Sequence, residues 1–148
     1  MPLADNARRE LVTPLALDEP SYQGGLRMRT LDMAKLGHLF LQHGAWNGRQ
    51  IVPESYAAAA TQRQNAGGPP VSLAYGYLWW VVPGNSPRPT FLASGYGGQF
   101  IWVHPPLDLV VAVTSAVSPE SQRRGQALQL ILKRLFGAAQ RRSAVAAP

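Results

Sequence analysis

Between residues 90 and 115 the chain carries short runs of apolar, aromatic and β-branched residues separated by tight breaks. These runs read as strands around 90–95, 99–104 and 109–115. The last two, "QFIWVH" and "LVVAVTS", are joined by "PPLD", which has the make-up of a hairpin turn. Upstream, "YGYLWWVV" has the same strand composition. The chain must therefore build an antiparallel sheet, and its other segments must pack around it.

Those other segments read mainly as helices. "TLDMAKLGHLFLQHG" places Met33, Leu36 and Phe40 on one face, with Leu39 beside them. Thr30 can cap its start, Asp32 sits in its first turn, and Gly44 suits its stop. Gly37 weakens the helix and so marks close packing against another element. Asn47-Gly48 is a turn signal, and Pro53 opens a short helix, "PESYAAAATQ". "NAGGPP" and "PGNSPRP" read as loops, and Gly24-Gly25 as a flexible joint. A final helix over 119–136 has an apolar face of Leu128, Ile131, Leu132 and Leu135. Residues 1–24 and 138–148 read as irregular. The sum is an α+β fold: one domain over 1–148, with an antiparallel sheet of three or four strands and the C-terminal helix packed on it.

Composition narrows the function. With 46% hydrophobic residues the chain can bury a core. It has no cysteine, which excludes disulfides, zinc thiolate sites and a cysteine nucleophile. There is no apolar run long enough to span a membrane and no signal-peptide core in "MPLADNARRE", so a cytoplasmic location is expected for the chain as written, while a longer parent could be periplasmic. The net charge of +6 lies entirely in 121–148: Arg123, Arg124, Lys133, Arg134, Arg141 and Arg142. That segment offers only Phe136 as an aromatic, so it reads as a solvated helix face rather than a nucleic-acid surface.

The glycine run in "FLASGYGGQF" is the main chemical candidate. It fails the dinucleotide fingerprint, because Phe100 stands at the third glycine position and a strand follows. It has no Gly-Lys-Ser/Thr, and Leu92 precedes Ser94 where a nucleophile elbow needs glycine. A strand end whose backbone N–H groups hold an oxyanion, and a glycine-rich hairpin turn, both remain open. His38, His43 and His104 form no H-E-x-x-H, and no metal site or other cofactor is expected. Tyr96 could stack on a ligand or cover its own strand. Trp79, Trp80 and Trp102 suit core packing, and Arg27 and Arg29 suit the surface or a carboxylate fork.

"GGLRMRTLDMAKLGHLFLQHGAWNGRQIVPESY", "YGYLWWV" and "FLASGYGGQFIWVHPPLDLVVAVTS" resemble the β-lactamase-related serine hydrolases. That superfamily includes class C β-lactamases, penicillin-binding-protein-like peptidases, family VIII esterases and 6-aminohexanoate-dimer hydrolases. The likeness runs from about residue 20 to 135 and implies part of a β-lactamase/transpeptidase-like fold. It also implies acyl transfer through a serine, on a small ester, amide or peptide-like substrate. In the family a Ser-x-x-Lys supplies nucleophile and base, a Tyr-x-Asn motif relays protons, and a Lys-Thr-Gly box lies on a strand. The resemblance puts Ala93-Ser94-Gly95 in the third box, with Tyr96 N–H as oxyanion donor and Gly97 and Gly98 beside the substrate. Alanine in place of the box lysine points away from a lactam carboxylate and toward an ester or amide.

The chain departs from the family in one large respect. No Ser-x-x-Lys and no Tyr-x-Asn occurs in its 148 residues. The expectation is a C-terminal portion of such an enzyme, from a truncated or shortened gene and inactive alone. Two rivals are a non-catalytic module that binds an acyl group or peptide, and a small independent esterase using Ser94. Strands that the family's N-terminal part would add are missing, so an exposed sheet edge should favour self-association.

Overall fold

The computed structural model describes residues 2–23, 25–116 and 129–146. Six antiparallel strands form one sheet: β3 (Asn65–Gly68), β4 (Leu73–Tyr75), β5 (Trp80–Val81), β6 (Phe91–Gly95), β7 (Gln99–His104) and β8 (Leu109–Val113). Each strand pairs with its neighbours in sequence. A small separate ribbon pairs β1 (Ala45–Trp46) with β2 (Arg49–Gln50) across the Asn47-Gly48 turn. The sheet thus has six strands rather than the three or four expected. The additions come from "NAGGPP", whose first four residues pair with β4, and from "YGYLWWVV", which breaks into the ends of two strands.

Register explains the core. Phe91 stands opposite Val103, Leu92 opposite Trp102, and Ser94 opposite Phe100. Phe91, Ile101 and Val103 face one way, with Leu41, Ala60 and Trp79. Leu92, Phe100 and Trp102 face the other way, with Ile131. Both faces are covered, so Phe100 to Val103 are buried at four successive positions and a continuous apolar run is needed there.

On the first face lies α2 (Thr30–Leu41), across β7 and β8. A Cβ on Gly37 would sit 2.7 Å from methyl groups of both Ile101 and Val110. This is the close packing that the glycine signalled. Gly37→Val is expected to cost about 1–3 kcal/mol by overpacking. Urea unfolding checks this against Gly68→Ala, where a Cβ meets nothing within 4 Å. Equal midpoints would contradict the helix placement.

Residues 1–24 are not irregular throughout. A helical stretch runs through α1 (Leu3–Ala7) into wider turns at Arg8–Val12. Val12, Leu15 and Leu17 then pack with Leu39 of α2. Arg8 grips Glu19 with two hydrogen bonds, of 3.1 and 2.9 Å. Beside this cluster Asp32, 2% exposed, accepts the Asp18 N–H at 3.2 Å and pairs with Lys35 at 3.0 Å. Lys35 also donates to Ala16 O. The Asp32 carboxylate therefore ties the incoming chain to α2. Thr30 does not cap the helix: it is the first helical residue, and Arg29 holds the cap position. Its hydroxyl instead lies 2.8 Å from that of Thr114, just past β8. Gly24 lies outside the described residues.

In its described part, the C-terminal helix meets the second face through Ile131. Its described part spans 129–146, so it continues where 138–148 read as irregular. Residues 117–128, including Leu128 and the expected helix start, lie outside the described residues. The apolar face differs from the one expected. Ile131 is fully buried, whereas Leu132 and Leu135 are 48% and 40% exposed. Over Ile131–Phe136 the helix takes wide π-type turns, which bring residues five apart into line. Ile131 then meets the sheet while Phe136 packs edge-on against His104, with ring centres 4.8 Å apart. Ile131→Ala is expected to cost about 2–5 kcal/mol and Leu132→Ala less than about 1 kcal/mol. Melting temperatures in the reverse order would overturn this placement.

Candidate functional site

The glycine run closes the β6–β7 hairpin. Gly95 pairs with Gln99, and Gly97 and Gly98 turn the chain at φ of +75° and +84°. These are angles that side chains resist, and both glycines are buried. A Cβ on Gly95 would stand 3.1 Å from Gln99 Cβ. The Tyr96 ring points outward and is 68% exposed.

A clamp holds this turn to the end of β8. Gln99 Nε2 donates to Ser115 O at 2.7 Å, and Ser115 N–H donates to Gln99 Oε1 at 3.2 Å. The Ser115 hydroxyl donates to Gly98 O at 3.2 Å. The Thr30–Thr114 contact adds the first turn of α2 to the same end of the sheet. Sequence reading missed Gln99, Ser115 and this use of Thr30. Their partners lie 16 and 84 residues apart, so only the register of the sheet reveals them.

Ala93 faces α2, with its side chain against the cluster of Phe91 and Ile101. Ser94, opposite Phe100, belongs by alternation to the other face. Its Oγ is fully buried and has no hydrogen-bond partner among the described residues. Among the described residues no base lies within hydrogen-bond reach of it, so none there can activate it. Ala93 to Gly98 thus run from the end of β6 through the turn, with the Ala93 and Ser94 side chains on opposite faces of the sheet.

The histidines stand apart. His38 meets the Trp46 ring edge-on, and the His43 carbonyl accepts Gln50 Nε2 at 2.8 Å. His104 Nδ1 lies 2.5 Å from Thr90 Oγ1, and burial lowers its pKa from the usual histidine value. No three metal-ligating side chains gather among the described residues. Trp79 and Trp102 are buried, as core packing requires, while Trp80 is half-buried. Arg29 pairs with Asp18, a carboxylate of the chain itself, and that contact raises its pKa. No described helix is long and apolar enough to cross a membrane.

The family model described as Beta-lactamase matches residues 3–136. No curated protein matches the chain. Among solved structures, a Bacillus anthracis protein assigned as a 6-aminohexanoate-dimer hydrolase is similar, with 23% identity and a TM-score of 0.64. The match covers 90% of this chain and 38% of that one. A penicillin-binding protein homolog from Caulobacter crescentus is 22% identical with a TM-score of 0.46, over 66% of this chain and 30% of that one. The chain therefore spans less than two fifths of the length of either protein.

Proposed function

The chain belongs to the Beta-lactamase family, and from that premise we propose that it supplies the sheet side of a serine acyl-transfer site, whose nucleophile and base lie on residues outside these 148. The substrate class is a small ester, amide or peptide-like acyl donor. Ala93-Ser94-Gly95 takes the place of the family's third box, and Tyr96 N–H donates to the acyl oxyanion. Gly97 and Gly98, both buried, turn the chain directly after this donor and are the further substrate-side residues of this reading.

The observation that carries this reading is the clamped turn. An oxyanion donor works when it is fixed before charge develops. The Gln99–Ser115 clamp fixes the strand end from the far side of β7. The buried Ser94 Oγ argues against a small independent esterase built on that serine. The share of the relative's length that is covered, and the missing Ser-x-x-Lys, both favour a nucleophile elsewhere.

The expected result is no p-nitrophenyl acetate turnover by the chain alone. An oxyanion donor is worth about 10²–10³ in rate, but only after a nucleophile has attacked. Activity should return when the nucleophile-bearing half of a relative is added, and Gly95→Pro should then abolish it. Saturable turnover by the chain alone that vanishes in Ser94→Ala would refute the reading. An acyl or peptide ligand bound tightly, with no turnover even after complementation, would favour the binding module instead.

A further inference from the structure

At the opposite end of β6 from the glycine turn, a surface cavity of about 240 Å³, open to solvent, lies between the segment after α3 (Glu54–Ala60) and the 83–89 loop. Its floor is apolar. Ala74 and Val81 are cross-strand partners there, and Val81 is buried. Its wall is braced. Ser86 Oγ donates to Arg88 O at 2.8 Å and accepts the Arg88 N–H at 3.2 Å. Gln62 Nε2 donates to Pro87 O at 3.2 Å, and Arg88 Nη2 donates to Leu41 O at 2.6 Å. Prolines at 83, 87 and 89 restrict the loop backbone further. The bonds from Gln62 and Arg88 tie the loop to the segment after α3 and to α2.

Its charge is one-sided. Arg63 is the charged residue on the lining, and no Asp or Glu lines it. Among the described residues Arg63 has no carboxylate partner. An adjoining cavity of about 130 Å³ shares Gln62 and Pro89 and is lined by Arg88, whose guanidinium is bonded to a neutral carbonyl. Arg63 and Arg88 thus line two adjoining cavities, and no Asp or Glu is among the lining residues of either. An arginine fork matches a carboxylate in geometry as well as charge. Small-molecule sites commonly pair an apolar floor with a few fixed polar groups.

We propose that this cavity binds a small carboxylate with a short apolar stem. The carboxylate pairs with Arg63 at the mouth, and the stem lies on Ala74 and Val81. The site is separate from the glycine turn and does not rest on the acyl-transfer reading.

The test is a titration of the isotope-labelled full chain with n-hexanoate, followed by amide resonances. Saturable shifts are expected at Val81, Val82 and Gly84, with Gly97 and Gly98 unmoved. Hexanamide, which keeps the stem and loses the charge, should bind at least tenfold more weakly. Arg63→Gln should weaken hexanoate at least tenfold while leaving hexanamide unchanged, and Arg63→Lys should fall between. Arg49→Gln, on the exposed β2, should have no effect. Added salt should weaken hexanoate alone. Non-saturable shifts, equal binding of the amide, insensitivity to Arg63→Gln, or shifts centred on Gly97 and Gly98 would each overturn the proposal.

Discussion

Asp32→Ala is expected to lower the unfolding free energy by about 3–5 kcal/mol, the range for breaking a buried ion pair from one side. The carboxylate is 2% exposed and holds two partners, the Asp18 N–H and Lys35. Its removal leaves the part-buried Asp18 N–H without its acceptor and Lys35, whose side chain is 22% exposed, without its counter-charge. It also frees the chain that carries Leu15 and Leu17 into the cluster around Leu39. A domain has only about 5–15 kcal/mol in total, so this one change should make the protein marginal at room temperature. Urea unfolding followed by tryptophan fluorescence measures it. Asp32→Asn, which keeps an acceptor for the Asp18 N–H, should lose less. A loss below about 0.5 kcal/mol for Asp32→Ala, the level of a surface change, would show that this contact does not hold the entry to α2.

Phe100→Ala is expected to cost about 3–5 kcal/mol, as large buried aromatics do when truncated. Phe100 is 1% exposed and packs with Leu92, Trp102 and Ile131. The C-terminal helix should lose its seat as well, so Phe100→Ala combined with Ile131→Ala should cost less than the sum of the two. Near-ultraviolet circular dichroism reports the loss through the neighbouring Trp102. If Phe100→Ala costs less than about 1 kcal/mol, the second face of the sheet is not a core.

β7 was legible because burial on both faces demands a continuous apolar run, and "QFIWVH" supplies one. The half-buried edge strand β8 was legible from its β-branched composition. Gly37 was legible for a related reason: a costly residue inside a helix implies a neighbour too close for a side chain. The first strand was not. "NAGG" has the composition of a loop, and pairing with β4 across an irregular register makes it a strand. Gly67 even turns at φ +69°, where a Cβ would strike Leu73 O. The final helix misled in a different way. Its leucines follow α-helical spacing, but the wide turns over Ile131–Phe136 change which residues share a face. At the candidate site the glycine turn was visible in the spacing, whereas the clamp through Gln99 and Ser115 depends on a strand 16 residues away.

The sequential order of the six strands has a kinetic consequence. Each strand finds its partner across a connection of no more than nine residues. Closing short loops costs little chain entropy, and topologies rich in local contacts fold quickly. The sheet can therefore zip hairpin by hairpin from its own local signals. α2 is expected to dock later, because it reaches β7 and β8 across more than half a hundred residues. The glycine turn, lying within the hairpin of β6 and β7, is expected to belong to the part that forms early. A partner half that docks against it would meet a finished surface and would not have to organise one.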